Sequence, residues 1–201
     1  VTAFGEAANS RNRMLDLSFK FATFNSMAHP VIIIGAGGAG LIAAWKAALS
    51  GAPVLLFECN SRAGVKILIS GGGKCNVTHA GAITTLLNAF SERERRFLKP
   101  SFYKFSNLDI LEVLAKEGVE TTTRPNGRVF PSSESAKQVV AAFTKMLGRT
   151  NVAIRLNSRV NDIISEHSAI CGVRVGGEVV ATGHLILATG GVSYPKTGTT
   201  G

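Results

Sequence analysis

The chain has 201 residues, 45% hydrophobic and 17% charged, with 22 Lys and Arg against 13 Asp and Glu and a formal net charge of +9. That length allows one domain with a real core, or one domain and part of another. Cys59, Cys75 and Cys171 are odd in number and far apart, which argues against a disulfide framework or a zinc site and fits a reducing cytoplasm; no apolar run reaches the roughly 18 residues needed to cross a membrane.

Residues 1–27 mix Ser, Asn, Arg and scattered Phe with no helical or alternating period, and lack the apolar core of a signal peptide. They are expected to form a disordered extension, with Met27 as the natural start. The folded part begins at Val31-Ile-Ile-Ile34, a run of β-formers that leads into Gly35-Ala-Gly-Gly-Ala-Gly40 and then into an Ala-rich helical segment. Gly35, Gly37 and Gly40 have G-x-G-x-x-G spacing. The first glycine turns the chain off the strand, the second lets a pyrophosphate approach the main chain, and the third lets the helix pack closely. Gly38 sits where the free N–H groups of the helix start face the two phosphates.

A Gly-Ala-Pro turn at 51–53 then leads to Val54-Leu-Leu-Phe57, which ends in Glu58, 23 residues after Gly35. That is close to the spacing of the acid that binds adenosine ribose hydroxyls. Strand, glycine turn, helix, strand and acid form a βαβ fingerprint for an ADP moiety. A polar connector carries Arg62 and Lys66 to Gly71-Gly-Gly73 and Lys74-Cys-Asn76. Three adjacent glycines present consecutive N–H groups to an anion or to the edge of a flat ring, with Arg62, Lys66 and Lys74 supplying positive charge; a surface hinge is the alternative.

Helices are expected at 83–90, at 107–117 up to Gly118, and from Ala136 to Leu147, closed by Gly148. Between the last two, Pro125-Asn-Gly127 marks a hairpin turn. The basic stretch Arg93, Arg95, Arg96, Lys99 and Lys104, interleaved with Glu92 and Glu94, reads as a solvated helix face, so no nucleic-acid partner is expected from it. Residues 152–156, 159–165, 169–175 and 178–181 read as short strands of an antiparallel meander. His184-Leu-Ile-Leu-Ala-Thr-Gly-Gly191 repeats the opening pattern, and Thr189 and Gly190 bring backbone close to a cofactor held by the first βαβ unit. The chain stops within loop composition at Gly201, which reads as a truncation.

Taken together, the glycine motif, Glu58, Ile69-Ser-Gly-Gly-Gly-Lys-Cys-Asn76, Gly127-Arg-Val-Phe-Pro131, Ala188-Thr-Gly-Gly191 and Thr197-Gly-Thr-Thr-Gly201 resemble the bacterial flavoproteins that include 3-dehydro-bile-acid reductases and aminoacetone oxidases, over residues 29–201. The resemblance implies an α/β fold: a Rossmann-like FAD-binding domain over 28–201, with a parallel sheet and a small antiparallel meander, truncated before a substrate domain and a closing segment. It implies FAD as cofactor, with Gly35, Gly37 and Gly40 at the pyrophosphate and Glu58 at the ribose. Lys66 and Gly71–Gly73 would lie toward the phosphate–ribityl or ring region, a Val160 main-chain contact at adenine, and Thr189 and Gly190 on the far side. The implied activity is a flavin-dependent oxidoreduction of a small organic substrate, with NAD(P)H as candidate electron donor. A flavoprotein of tRNA modification and a non-catalytic FAD-binding fragment are the alternatives. Cys75 reads as structural, and no catalytic residue is assigned.

Overall fold

The computed structural model describes residues 29–198; the extension expected at 1–27 and the last three residues lie outside the described residues. Four parallel strands form the central sheet: β1 (Val31–Ile34), β2 (Val54–Phe57), β6 (Val152–Arg155) and β10 (Leu185–Leu187), in the order β10-β1-β2-β6. Between β1 and β2 runs α1 (Gly38–Leu49). The remaining elements before β6 are α2 (Val65–Ile69), β3 (Thr78–His79), α3 (Ile83–Leu87), α4 (Glu92–Lys104), α5 (Asn107–Lys116), β4 (Thr121–Thr123), β5 (Arg128–Pro131) and α6 (Ala136–Gly148). A second sheet has the order β3-β5-β4, and β4 and β5 pair antiparallel around the expected turn at 125–127. The third sheet is the meander of β7 (Val160–Glu166), β8 (Ala169–Val175) and β9 (Glu178–Ala181).

The strand pleat decides which layer each residue joins. Ile33, Val54 and Leu56 point to one face and pack with Leu41 and Ala44 of α1, Val113 and Leu114 of α5, and Val139, Phe143 and Met146 of α6. Ile32, Leu55 and Phe57 point to the other face and meet Val173 of the meander. Because both faces of β1 and β2 are covered, these strands are continuous apolar runs without alternation, as parallel strands in a layered α/β fold require.

Two expectations are corrected. Residues 152–155 do not begin the meander: β6 joins the parallel sheet, with Val54 opposite Val152 and Phe57 opposite Arg155. Its Val-Ala-Ile-Arg sequence suits either sheet, and the preceding α6 supplies the crossover that a parallel partner of β2 needs. α6 runs one residue further than the expected Leu147 and takes in Gly148, with Arg149 as its C-cap.

The close approach of α1 to the sheet depends on two missing side chains. A Cβ at Gly40 would lie 1.8 Å from the Gly35 carbonyl oxygen, and one at Gly35 would lie 2.5 Å from the Ala188 carbonyl oxygen, at a φ of +101°. Backbone occupies both positions and cannot yield cheaply. Gly40→Ala is therefore expected to destabilise the domain by about 3 kcal/mol or more. Gly148→Ala meets nothing within 4 Å and should stabilise it by about 0.5 kcal/mol. Thermal or denaturant unfolding of the two variants beside the parent checks both signs.

Candidate functional site

The carboxyl ends of the parallel strands open onto a cavity of about 780 Å³, within the usual range for a cofactor site. β1 has β2 on one side and β10 on the other, so the connections diverge at this point, which is where open α/β sheets bind ligands. Main-chain bonds join the strand ends that form its rim. The Gly35 amide donates to the Phe57 carbonyl at 2.8 Å, the Glu58 amide to Arg155 at 2.8 Å, the Ser158 amide to Glu58 at 2.8 Å, and the Gly64 amide to Ala36 at 2.8 Å.

At one end of the cavity stands the start of α1. Its N-cap, Gly37, makes no side-chain cap bond, and Gly37, Gly38 and Ala39 line the cavity. The unfilled N–H groups of a first helical turn favour an anion. A Cβ on Gly37 would meet nothing within 4 Å, so the space above this backbone is open on the ligand side. This cradle fits a pyrophosphate.

Glu58 is buried and lines the same cavity. Its Oε2 accepts the Ala36 amide at 2.7 Å, and its Oε1 accepts the Asn60 amide at 2.9 Å and the Asn60 Nδ2 at 2.7 Å. The carboxylate thus ties the glycine loop to the end of β2 while facing the ligand space. Asn60 also donates from Nδ2 to the Thr197 carbonyl at 3.0 Å, which holds the 195–198 turn beside the acid. Burial, and next the Glu58 carboxylate, push the Cys59 thiol up. Burial likewise raises Cys75, which lines the cavity as a neutral thiol.

Of the residues singled out in the sequence, Gly35, Gly37, Gly38, Glu58, Lys66, Val160, Thr189 and Gly190 all line this cavity. Gly40 lies beneath it, in the helix–strand contact, and Arg62 is exposed outside it. Gly71, Gly72 and Gly73 are also exposed and outside its lining; Ser70, Cys75 and Asn76, on either side of them, line it. The three glycines have φ of 59°, 68° and 86°, a left-handed course that turns the chain back so that its two ends meet the cavity. A Cβ on Gly71 would lie 2.8 Å from the Phe130 ring. Lys74 does not reach the cavity but pairs with Glu134 at 2.6 Å, and Arg124 bonds the same carboxylate. Sequence reasoning missed Arg159, Phe105, Ile110 and Phe143 as parts of this wall, and Asn60 as the partner that holds Glu58. Only Asn60, two residues past the acid, carried a local signal, since Asn readily bonds nearby backbone. Among the described residues no group of three or more His, Cys, Asp or Glu could hold a metal, and no helix is long and apolar enough to cross a membrane.

A parallel sheet, a glycine turn into an uncapped helix, an acid closing β2 and a meander on the opposite face define a Rossmann-type dinucleotide-binding domain of the flavoprotein kind. The chain belongs to the family described as HI0933-like protein Rossmann domain, whose model matches residues 29–201. Membership of this FAD-binding Rossmann family implies FAD as the cofactor. The chain is 32% identical over 167 residues to the ribosomal RNA dihydrouridine synthase of Escherichia coli (strain K12), covering 83% of this chain and 40% of that protein. It is 29% identical over 171 residues to the 3-dehydro-bile acid delta(4,6)-reductase of Clostridium scindens, covering 84% and 41%. The fold resembles Thermovibrio ammonificans THI4, with a TM-score of 0.60, 15% identity, and 86% of this chain and 62% of that one covered. The chain therefore spans about 40% of the length of the curated relatives it matches.

Two outcomes test the site. Glu58→Ala removes the acceptor for Ala36 and Asn60 at the edge of the cavity. It should weaken FAD binding by about 1.5–3 kcal/mol, the range for a charged hydrogen-bond acceptor, and lower the melting temperature of the protein without added FAD. Titration calorimetry and a melting curve read the two effects separately. Glu134 has its carboxyl held below the ordinary glutamate value, first by the Lys74 hydrogen bond and then by Arg124. A depressed folded pKa contributes stability above the unfolded value, lost as pH falls through the folded one. Wild type should therefore exceed Glu134→Gln in melting temperature at neutral pH, and the gap should close in acid below the folded pKa.

Proposed function

We propose that the chain is the FAD-binding part of a flavin-dependent reductase that adds hydrogen to an unsaturated ring of an organic substrate, with NAD(P)H as electron donor. The observation that carries this reading is the single cavity on which the uncapped start of α1, the Glu58 carboxylate and Lys66 all open. Bound FAD supplies the hydride chemistry; the protein binds, orients and shields it. The α1 amides and Lys66 take the diphosphate charge, Glu58 accepts from ribose hydroxyls, and the main chain at Val160 serves adenine. Ile42, Phe105, Ile110 and Phe143 supply an apolar wall that excludes water from the remaining volume. The names of the two curated relatives support the reaction class. Dihydrouridine is a uridine that has gained two hydrogens, and a delta(4,6)-reductase acts on unsaturation in a bile acid.

A second reading of the substrate, a base within RNA, is favoured by the relative that acts on ribosomal RNA. A non-catalytic FAD-binding role is separated from both by one measurement, the reduction of bound flavin by NAD(P)H.

The test is the visible spectrum of the purified chain with added FAD, beside Gly37→Val. Gly37 has ordinary backbone dihedrals and open space above it, so the valine variant should keep its fold. Its side chain would stand in the pyrophosphate position, so flavin uptake should fall by at least a hundredfold. Normal affinity in that variant would overturn the cradle assignment. Flavin uptake without bleaching by NADH or NADPH would overturn the reductase assignment.

A further inference from the structure

The basic stretch expected as a solvated helix face is α4, and its exposed side carries rings as well as cations. Helix α4 buries no residue, and it stands on the domain through the half-buried Leu98 and Phe102 of one face. The Phe102 ring meets Phe90 edge-on at 6.0 Å. The opposite face is set by the i, i+3, i+4, i+7 spacing of Arg93, Arg96, Phe97, Pro100, Tyr103 and Lys104. Phe97 is 82% exposed and Tyr103 57% exposed. Two flat rings thus lie between cations along one solvent-facing stripe. The helix carries five cations and two carboxylates. Of the carboxylates, Glu94 closes the capping box with Ser91, and Glu92 pairs with Arg96 at 2.7 Å. Arg93, Lys99 and Lys104 have no carboxylate partner among the described residues.

We propose that this outer face of α4 is a docking surface for single-stranded RNA. The inference rests on, and deepens, the RNA reading of the substrate given above. Charge complementarity argues for a polyanion, and the interleaved rings argue for unstacked bases, because every base offers a face on which an aromatic side chain stacks. A membrane surface fits less well. An interfacial helix presents a continuous apolar stripe to lipid, whereas the outward face of α4 sets the rings Phe97 and Tyr103 among Arg93, Arg96 and Lys104. The position also suits a substrate strand. Phe105, directly after the helix, lines the 780 Å³ cavity, and Asn107 anchors the following turn by donating to the His79 and Gly81 carbonyls at 3.1 Å each. The C-terminal end of α4 thus stands one residue from the cavity wall.

The test uses the FAD-loaded chain and a fluorescently labelled, uridine-containing single-stranded RNA, with anisotropy read across a salt series. Arg93→Glu with Lys104→Glu should weaken binding tenfold or more and reduce the salt slope by about two phosphate contacts. Phe97→Ala with Tyr103→Ala should weaken it about tenfold and leave the salt slope unchanged. Both variants should keep the parent's flavin uptake, since α4 contributes nothing to the cavity lining. On the unaltered protein, bound RNA should slow acetylation of Lys99 and Lys104, which needs no variant to fold. Unchanged affinity in both variants, unprotected lysines, or binding to phosphatidylserine vesicles in place of RNA would overturn the proposal. Flavin uptake recorded in the same samples keeps the two readings apart. RNA binding without flavin would remove the reductase assignment and leave the surface, while flavin reduction without RNA binding would do the reverse.

Discussion

Everything at the ligand end of this domain depends on a backbone-to-backbone contact that admits no side chain. The Gly35 carbonyl sits where a Cβ of residue 40 would be, and the Ala188 carbonyl sits where a Cβ of residue 35 would be. Three segments far apart in the chain, the end of β1, the first turn of α1 and the end of β10, are thereby pressed together. The consequence is electrostatic as much as steric. A helix drawn this close to the sheet ends with its unsatisfied amides at the mouth of the cavity, where a phosphate anion is their natural partner.

A second constraint is the carboxylate of Glu58. Buried as it is, it must be paired, and the Ala36 and Asn60 amides pair it. The same bonds hold the glycine loop and the end of β2 in a fixed relation. Asn60 extends the network to Thr197, so the turn after Tyr194 is held against the acid. One carboxyl group therefore ties the local fold together at the edge of the ligand space. Ligand affinity and stability are expected to respond together when it is lost.

The wall of the cavity divides by chemistry. The end near α1 is made of main chain and small residues, where a charged, hydrogen-bonding part of a ligand is accommodated. Another part of the wall is apolar, with Phe105, Ile110 and Phe143 drawn from three different helices or their flanks. The triple glycine does not itself line the site. It folds back in a left-handed course so that Ser70, Cys75 and Asn76 reach the lining, while Glu134 clamps the loop from outside through Lys74 and, across the β4–β5 hairpin, through Arg124.

The sequence by itself determined the βαβ unit and its ligand class. The apolar run of β1, the spacing of Gly35, Gly37 and Gly40, and an acid at the end of β2 are local patterns with local physical reasons. Most of the cavity lining named from them is in place. The α/β plan with a parallel sheet and a small antiparallel meander was legible through the family resemblance carried by those motifs. Only the tertiary structure decided where Val152–Arg155 would pair, since a four-residue apolar strand suits either sheet and the crossover through α6 makes the choice. Only it could show that Gly71–Gly73 lie outside the cavity, and that Phe105 and Phe143, ordinary core residues by pattern, form its wall. Likewise, periodicity assigns Arg93, Phe97, Tyr103 and Lys104 to a helix, but exposure of their shared face depends on which side of α4 packs on the domain. Spacing along the chain carries information about neighbours in sequence; contacts between distant segments come from packing, which no local pattern encodes.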